Sequence, residues 1–360
     1  MFFRYHEIND HPCCQMQEVV ESFFNGAIAE GDFSINLFPD WFHETLNKVS
    51  CTLDLKFEGV FDLLHEQAVT VAFRQALYDQ LVITNHIAEV CSGEEVLPAS
   101  ILDLSTPLGA AIKSLMGDLY GSLDLEVFRR SDDGGKARHE FYKEFVKINK
   151  YVCPFCGLQK LKNRMGSRRE DLDHYLHKSK YPLAAANMRN LIPTCGTCNQ
   201  DYKGIKDILV DGKAFYPYSD IPPIEIIVDC TVYPATDDLD DSGDWSVNVL
   251  LLEPDAEIEP MMSAWERVYS ITQRLEDEVS EFFEEWMRDL SEHVSDENNL
   301  DEAKFRQLLI DARDEASAAI PRRMKPGEIL RAAFFDFMIS RAQDSFLESF
   351  RWQLNGQRVA

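Results

Sequence analysis

Apolar positions in this chain recur at helical, then strand, then again helical spacing. Across residues 60–90 they fall at Leu64, Ala68, Val71, Ala72 and Ala76, three and four apart, the spacing that lines one face of a helix. Thr106-Pro107 opens a second helix, with a capping hydroxyl followed by proline at the first helical position. Residues 131–135, Ser-Asp-Asp-Gly-Gly, read as a linker, and a short amphipathic helix follows with Phe141, Phe145 and Ile148 on one face. Residues 1–59 are rich in aromatics, with Phe23-Phe24 and Trp41-Phe42, and predict a folded segment without a chemical motif.

Farther along, residues 224–233 and 245–252 predict paired strands, the second alternating Trp245, Val247, Val249 and Leu251. Their connection carries Asp237, Asp238, Asp240, Asp241 and Asp244, but not at the spacing of an EF-hand, so it reads as a solvated turn and not a calcium site. Three helices fill the last hundred residues. Trp265, Val268, Leu275, Val279, Phe282 and Trp286 stripe the first. The second spans about 300 to 320 and ends at Pro321, and the third starts near Gly327 and carries Phe346, Phe350 and Leu354. Such stripes are packing faces.

At 360 residues and 45% hydrophobic content, the chain is long and apolar enough for two or three folded domains. Its start lacks the apolar stretch and small-residue cleavage site of an export signal, and nowhere do eighteen apolar residues run together, which predicts a cytoplasmic protein without a membrane. There is no internal repeat, and no Gly-rich loop of the kind that cradles phosphates, so the chain itself is not expected to hydrolyse nucleotides. A net charge of −26 argues against nucleic acid until its distribution is considered. Residues 129–206 hold 17 Lys and Arg against 8 Asp and Glu, a net of +9, which leaves −35 on the remainder.

The cysteines bring in chemistry. Cys153-Pro-Phe-Cys156 and Cys195-Gly-Thr-Cys198 are two-residue-gap knuckles with thirty-eight residues between them, and the gap lets both sulfurs of a knuckle face one ion. Paired knuckles in a chain without an export signal read as zinc ligands and not as disulfides. Four cysteines close a zinc site, so that metal is structural and any reaction must be carried elsewhere. Cys13, Cys14, Cys51, Cys91 and Cys230 remain, at irregular spacing.

Between the knuckles stand Asp171, Asp173-His174, His177, Asn187 and Asn190, and the second knuckle continues through Asn199 to Lys203. This Asp-His, Asn sixteen residues later, Cys-x-x-Cys-Asn-x-x-x-Lys pattern resembles the HNH endonucleases, over about a seventh of the chain. The resemblance implies a small ββα-metal core with structural zinc, placed at 136–210; with the flanks read from periodicity, a mainly helical 1–135, a β-hairpin extension at 211–260 and a helical domain at 261–360, the expected fold is α+β. The resemblance also implies His174 as general base, Asp173 and Asn199 as ligands of a catalytic Mg²⁺ or Mn²⁺, and Asn190 as a brace for the loop that positions His174. Many relatives have Pro where His177 stands and His where Asn199 stands. Arg164, Arg168, Arg169, Lys178, Lys180 and Lys203 are the candidate phosphate contacts, Asp171 is a reserve ligand, and His177 reads as a solvent-facing loop residue, with a second base or a phosphate contact as the alternatives. The stretch from Asp173 to Pro182, Asp-His-Tyr-Leu-His-Lys-Ser-Lys-Tyr-Pro, resembles nuclease subunits of phage-defence systems that accompany an ATPase. DNA is the favoured substrate and an ATPase the implied partner; an RNA- or tRNA-cleaving enzyme, and a non-catalytic zinc module that docks a protein, are the alternatives.

Overall fold

Residues 1–8 form neither helix nor strand, yet the alternate side chains Met1, Phe3 and Tyr5 are buried. An extended backbone sends successive side chains to opposite sides, so this segment acts as a strap. Phe2 N–H donates to the Pro154 carbonyl, Tyr5 N–H donates to that of Pro217, and His6 exchanges two hydrogen bonds with the Asn149 side chain.

The computed structural model describes residues 1–48, 52–131, 135–163, 165–166, 168–234, 243–290 and 300–356. Cys51, most of the 131–135 linker, Arg164 and the acidic tip at Asp237, Asp238, Asp240 and Asp241 lie outside these residues. Among the described residues seven α-helices come first: α1 (Met16–Gly26), α2 (His43–Leu46), α3 (Leu53–Leu64), α4 (Val71–Asn85), α5 (Ile87–Ser92), α6 (Pro107–Ser122) and α7 (Ala137–Asn149). Thr106 caps α6 by accepting the Gly109 N–H, with Pro107 in the first turn. Two helical faces differ from the sequence reading. In α4 the inward side chains are Arg74, Leu77, Gln80, Leu81, Thr84 and Asn85, while Val71, Ala72 and Ala76 face outward. The break between α3 and α4, with Thr70 accepting the Phe73 N–H as a new cap, resets the helical phase. In α7, Phe141 and Phe145 point inward with Tyr142, Val146 and Asn149, but Ile148 is 42% exposed.

After α7 come β1 (Leu172–His174) and β2 (Leu191–Pro193), antiparallel with Asp173 opposite Ile192. The following helix, Thr197–Lys203, is wound wider than an α-helix, and Gly204 N–H donates to the Asn199 carbonyl five residues back. We call it the knuckle helix. Next are β3 (Ile224–Val232) and β4 (Asp244–Leu251), antiparallel, with Trp245 and Val247 facing inward as their alternation predicts. Trp245 packs against Phe283, Phe334 and Phe337.

The C-terminal region contains five described helices where the stripes predict three: α8 (Glu259–Tyr269), α9 (Ile271–Asp289), α10 (Glu302–Ala319), α11 (Glu328–Ser340) and α12 (Asp344–Gly356). Ser270, in left-handed backbone at φ 49°, divides the first, and a short break after Ser340 divides the third. Neither break carries the Gly or Pro that would mark it. Phe283 is buried where the stripe predicts Phe282.

The chain is thus a mixture of helix and strand, mostly helix. Buried side chains from Met1 to Leu354 form one continuous hydrophobic cluster that draws on the N-terminal helices, the knuckles, the β-hairpin and the C-terminal helices alike. Among the described residues, no helix is long and apolar enough to cross a membrane.

Candidate metal centre and the adjoining histidine site

The first knuckle is a tight turn just after α7. Cys153 N–H donates to the Gln159 carbonyl and Gly157 N–H donates to that of Cys153. Gly157 has φ 67°, and a Cβ there would approach Ile329 Cγ2 to 3.1 Å and Phe2 Cδ2 to 3.3 Å, so glycine suits both the backbone and the neighbours. The second knuckle leads into the knuckle helix, with Cys198 N–H donating to Cys195 Sγ at 3.4 Å.

The sulfurs of Cys153, Cys156, Cys195 and Cys198 all lie within 4.8 Å of one another, and all four residues are buried. A tetrahedral zinc with Zn–S bonds of about 2.3 Å separates its sulfurs by about 3.8 Å; the Cys156 and Cys195 sulfurs stand 4.0 Å apart. The four cysteines therefore fit one zinc ion. Phe155, inside the first knuckle, stacks on Tyr269 at 4.8 Å and accepts the Trp265 indole N–H at its carbonyl, which joins the centre to α8.

Beside this centre, β1 carries Asp173 and His174, both buried. His174 Nε2 lies 3.1 Å from the Ala185 carbonyl. A carbonyl can only accept, so the proton sits on Nε2 and the lone pair is left on Nδ1. Burial, reinforced by the Lys178 ammonium, pushes the imidazole pKa down to about 3 and keeps the ring neutral. Tyr120 of α6 packs on this ring with centroids 4.8 Å apart.

Asn190 is fully buried. Its Oδ1 accepts the Leu176 N–H at 2.6 Å, and its Nδ2 donates to the carbonyls of Leu176 at 3.0 Å and Ala184 at 3.1 Å. These three bonds tie together the two ends of the loop that presents Ala185 to His174. Asn187 Nδ2 donates to Asn85 Oδ1, and Asn85 Nδ2 to the Leu183 carbonyl, so the polar face of α4 holds the same loop.

Lys203 overturns part of the sequence reading. Grouped there with the phosphate contacts, it is fully buried, and its Nζ donates to Asp173 Oδ1 at 2.8 Å and to the His174 carbonyl at 2.7 Å. A carboxylate buried on β1 needs a counter-charge, and the knuckle helix supplies it. The other oxygen, Asp173 Oδ2, is buried without a hydrogen-bond partner among the described residues. Burial raises the Asp173 pKa, against the opposing pull of Lys203. An orphan carboxylate oxygen suits a hard divalent cation; Asn199 is half-buried on the knuckle helix, four residues before Lys203.

The remaining candidates disperse. Asp171 is exposed, 3.8 Å from Arg169. Arg169 is half-buried and donates to the Glu170 carbonyl. Arg168, Lys178 and Lys180 are all exposed; Lys180 pairs with Asp207, and the Lys178 ammonium lies 5.9 Å from the centroid of the Tyr120 ring. His177 is half-buried, and its Nδ1 accepts from the Ser179 hydroxyl at 2.7 Å. Ion pairs of Arg130 with Asp10, Arg138 with Asp124, Lys162 with Glu170 and Arg189 with Glu7 neutralise much of the basic block.

Two residues at these sites carry no motif. Tyr120 reaches His174 from another element, without a local signal. Arg274 of α9 is buried against Cys198, and a cation between Ile271 and Leu275 on an apolar stripe is the signal that could have found it.

No protein-family model matches the chain, and no solved structure matches it. Among curated proteins it is similar to protein ea31 of Escherichia phage lambda, 32% identical over 91 residues that cover 24% of this chain. The matched stretch spans 28% of the length of ea31, whose name states no activity.

Proposed function

We propose that this chain is a metal-dependent phosphodiesterase of the HNH type that cuts DNA, with the four cysteines as its structural zinc site. The observation that carries the reading is the state of His174: a neutral imidazole, its Nε2–H anchored on the Ala185 carbonyl and its Nδ1 lone pair unprotonated, next to a carboxylate with an orphan oxygen. That tautomer is what a general base requires. His174 Nδ1 takes a proton from the attacking water, and the Ala185 carbonyl steadies the resulting imidazolium through Nε2–H. An anionic phosphate beside Lys178 offsets the charge-based part of the depression of the imidazole pKa, the larger part being burial. Asp173 and Asn199 are the residues that would hold Mg²⁺ or Mn²⁺. When bound, the ion supplies charge neutralisation at the scissile phosphate and the leaving oxygen. A setting in anti-phage defence beside an ATPase rests on the resemblance of residues 173–182 alone.

The alternative, a non-catalytic zinc module, draws on the Lys203 ammonium, which already offsets the Asp173 charge without any divalent ion. Incubation of the full chain with plasmid, single-stranded DNA and tRNA, with and without Mg²⁺ or Mn²⁺, decides between the two. Ion-dependent cleavage of DNA, lost in His174→Ala with zinc content and melting temperature retained, is the expected result. Full activity in that variant, or no cleavage of any substrate by the wild type, overturns the reading; cleavage of tRNA alone changes the substrate to RNA.

A further inference from the structure

The four-cysteine centre has a neighbour that ligand spacing does not mark. Arg274 of α9 is 6% exposed, and its Nη1 donates to Cys198 Sγ at 3.3 Å and to the Tyr269 carbonyl at 3.4 Å. The guanidinium carbon lies 4.3 Å from the centroid of the Tyr202 ring, and Tyr202 sits on the same knuckle helix as Cys198. Neither hydrogen-bond partner is a carboxylate, and Glu278, one turn along α9, is not among them.

A guanidinium is always charged in a protein, and a buried charge needs an opposite one close by. Glu278 interacts with Arg274 through space without hydrogen-bonding it, and the negative charge that the guanidinium contacts directly is on sulfur. Four thiolates around one divalent zinc leave a net charge of −2, enclosed by Phe155, Trp265 and Tyr269. The cation and the metal–thiolate cluster are each costly to bury alone and compensate each other when buried together.

We propose that Arg274 is the counter-ion of this metal centre, withdrawing electron density from the Cys198 thiolate through an N–H···S bond, so that the zinc is retained and the sulfur is kept from attacking electrophiles. Groups around metal ligands typically change affinity by about 10- to 100-fold when removed. The bond makes α9 part of the centre, although α9 supplies no ligand. The inference rests on the zinc assignment and not on the proposed reaction.

The test uses the full-length, zinc-loaded protein as wild type, Arg274→Lys and Arg274→Met, each challenged with excess chromogenic chelator while zinc release is followed by absorbance. Arg274→Met is expected to retain zinc about 10- to 100-fold less well. Arg274→Lys, which keeps the charge but not the planar donor fork, should fall between. Melting curves at saturating zinc separate loss of metal from loss of fold, and unchanged retention in a folded Arg274→Met protein overturns the proposal. Where Arg274→Met does not fold, the wild type decides. Under limiting iodoacetamide, mass spectrometry of singly alkylated chains should find Cys198 labelled about tenfold less than Cys153 and Cys156, which are just as buried. Equal labelling overturns the proposal, and so does a wild-type chain that carries no zinc.

Discussion

Lys203 Nζ lies 2.8 Å from Asp173 Oδ1, with both side chains buried, and the same ammonium caps the carbonyl of His174. One residue of the knuckle helix therefore fixes the backbone on which both Asp173 and His174 are mounted. Removing one member of such a pair strands the other charge. Lys203→Met should lower unfolding free energy by about 3 to 5 kcal/mol, measured by urea titration at constant zinc. Adding Asp173→Asn should restore part of the loss, because the stranded charge is then gone. A loss below about 1 kcal/mol would place the pair in the solvated class.

The sulfur geometry predicts about one zinc per purified chain, with Cys153→Ser and Cys198→Ser losing both the metal and the cooperative melting transition. Metal analysis of fresh protein checks this. Less than about a tenth of an equivalent in a protein that still folds removes the zinc assignment.

His174 makes stability depend on pH in a definite direction. Its folded pKa of about 3 lies below the ordinary value of 6.5, so on acidification the unfolded chain takes up the proton first. The stabilisation is fully present above pH 6.5 and is lost as pH falls from 6.5 toward 3. Between pH 7 and 5, in buffer without added divalent ions, the wild type should lose about 2 kcal/mol more than His174→Gln, which cannot titrate. NMR should show the His174 ring still neutral at pH 5. A ring that titrates near 6.5 rules out the burial argument.

Among the basic residues flanking the site, ion pairing separates two that look alike in sequence. Lys178 stands exposed near His174, whereas Lys180 is engaged by Asp207. If the chain binds DNA as proposed, Lys178→Ala should reduce the slope of log affinity against log salt by about 1, while Lys180→Ala should change it little. Equal effects would mean that the Lys180 pair opens on binding.

Much of this protein could be read from local pattern. Each knuckle turns its two sulfurs to one side because a two-residue gap has few ways to fold, whereas the meeting of the two knuckles, thirty-eight residues apart, is a tertiary event. Helix α6, capped by Thr106 and Pro107, and the β3–β4 hairpin, with its alternating Trp245 and Val247, also follow from rules that act within one element. Splits at Ser270 and after Ser340 were not legible, since no Gly or Pro marks them and packing alone selects the break.

The surroundings of the site were decided by tertiary structure. Net charge over residues 129–206 is a property of composition, but whether each cation is paired depends on partners brought in by folding: Asp173 for Lys203, Asp207 for Lys180, Glu7 for Arg189. The strap at residues 1–8, Tyr120 on His174 and Arg274 on Cys198 come from segments far away along the chain. A motif records which groups are available. Their desolvation and counter-charges, which set protonation and reactivity, exist only once those distant segments have closed around them.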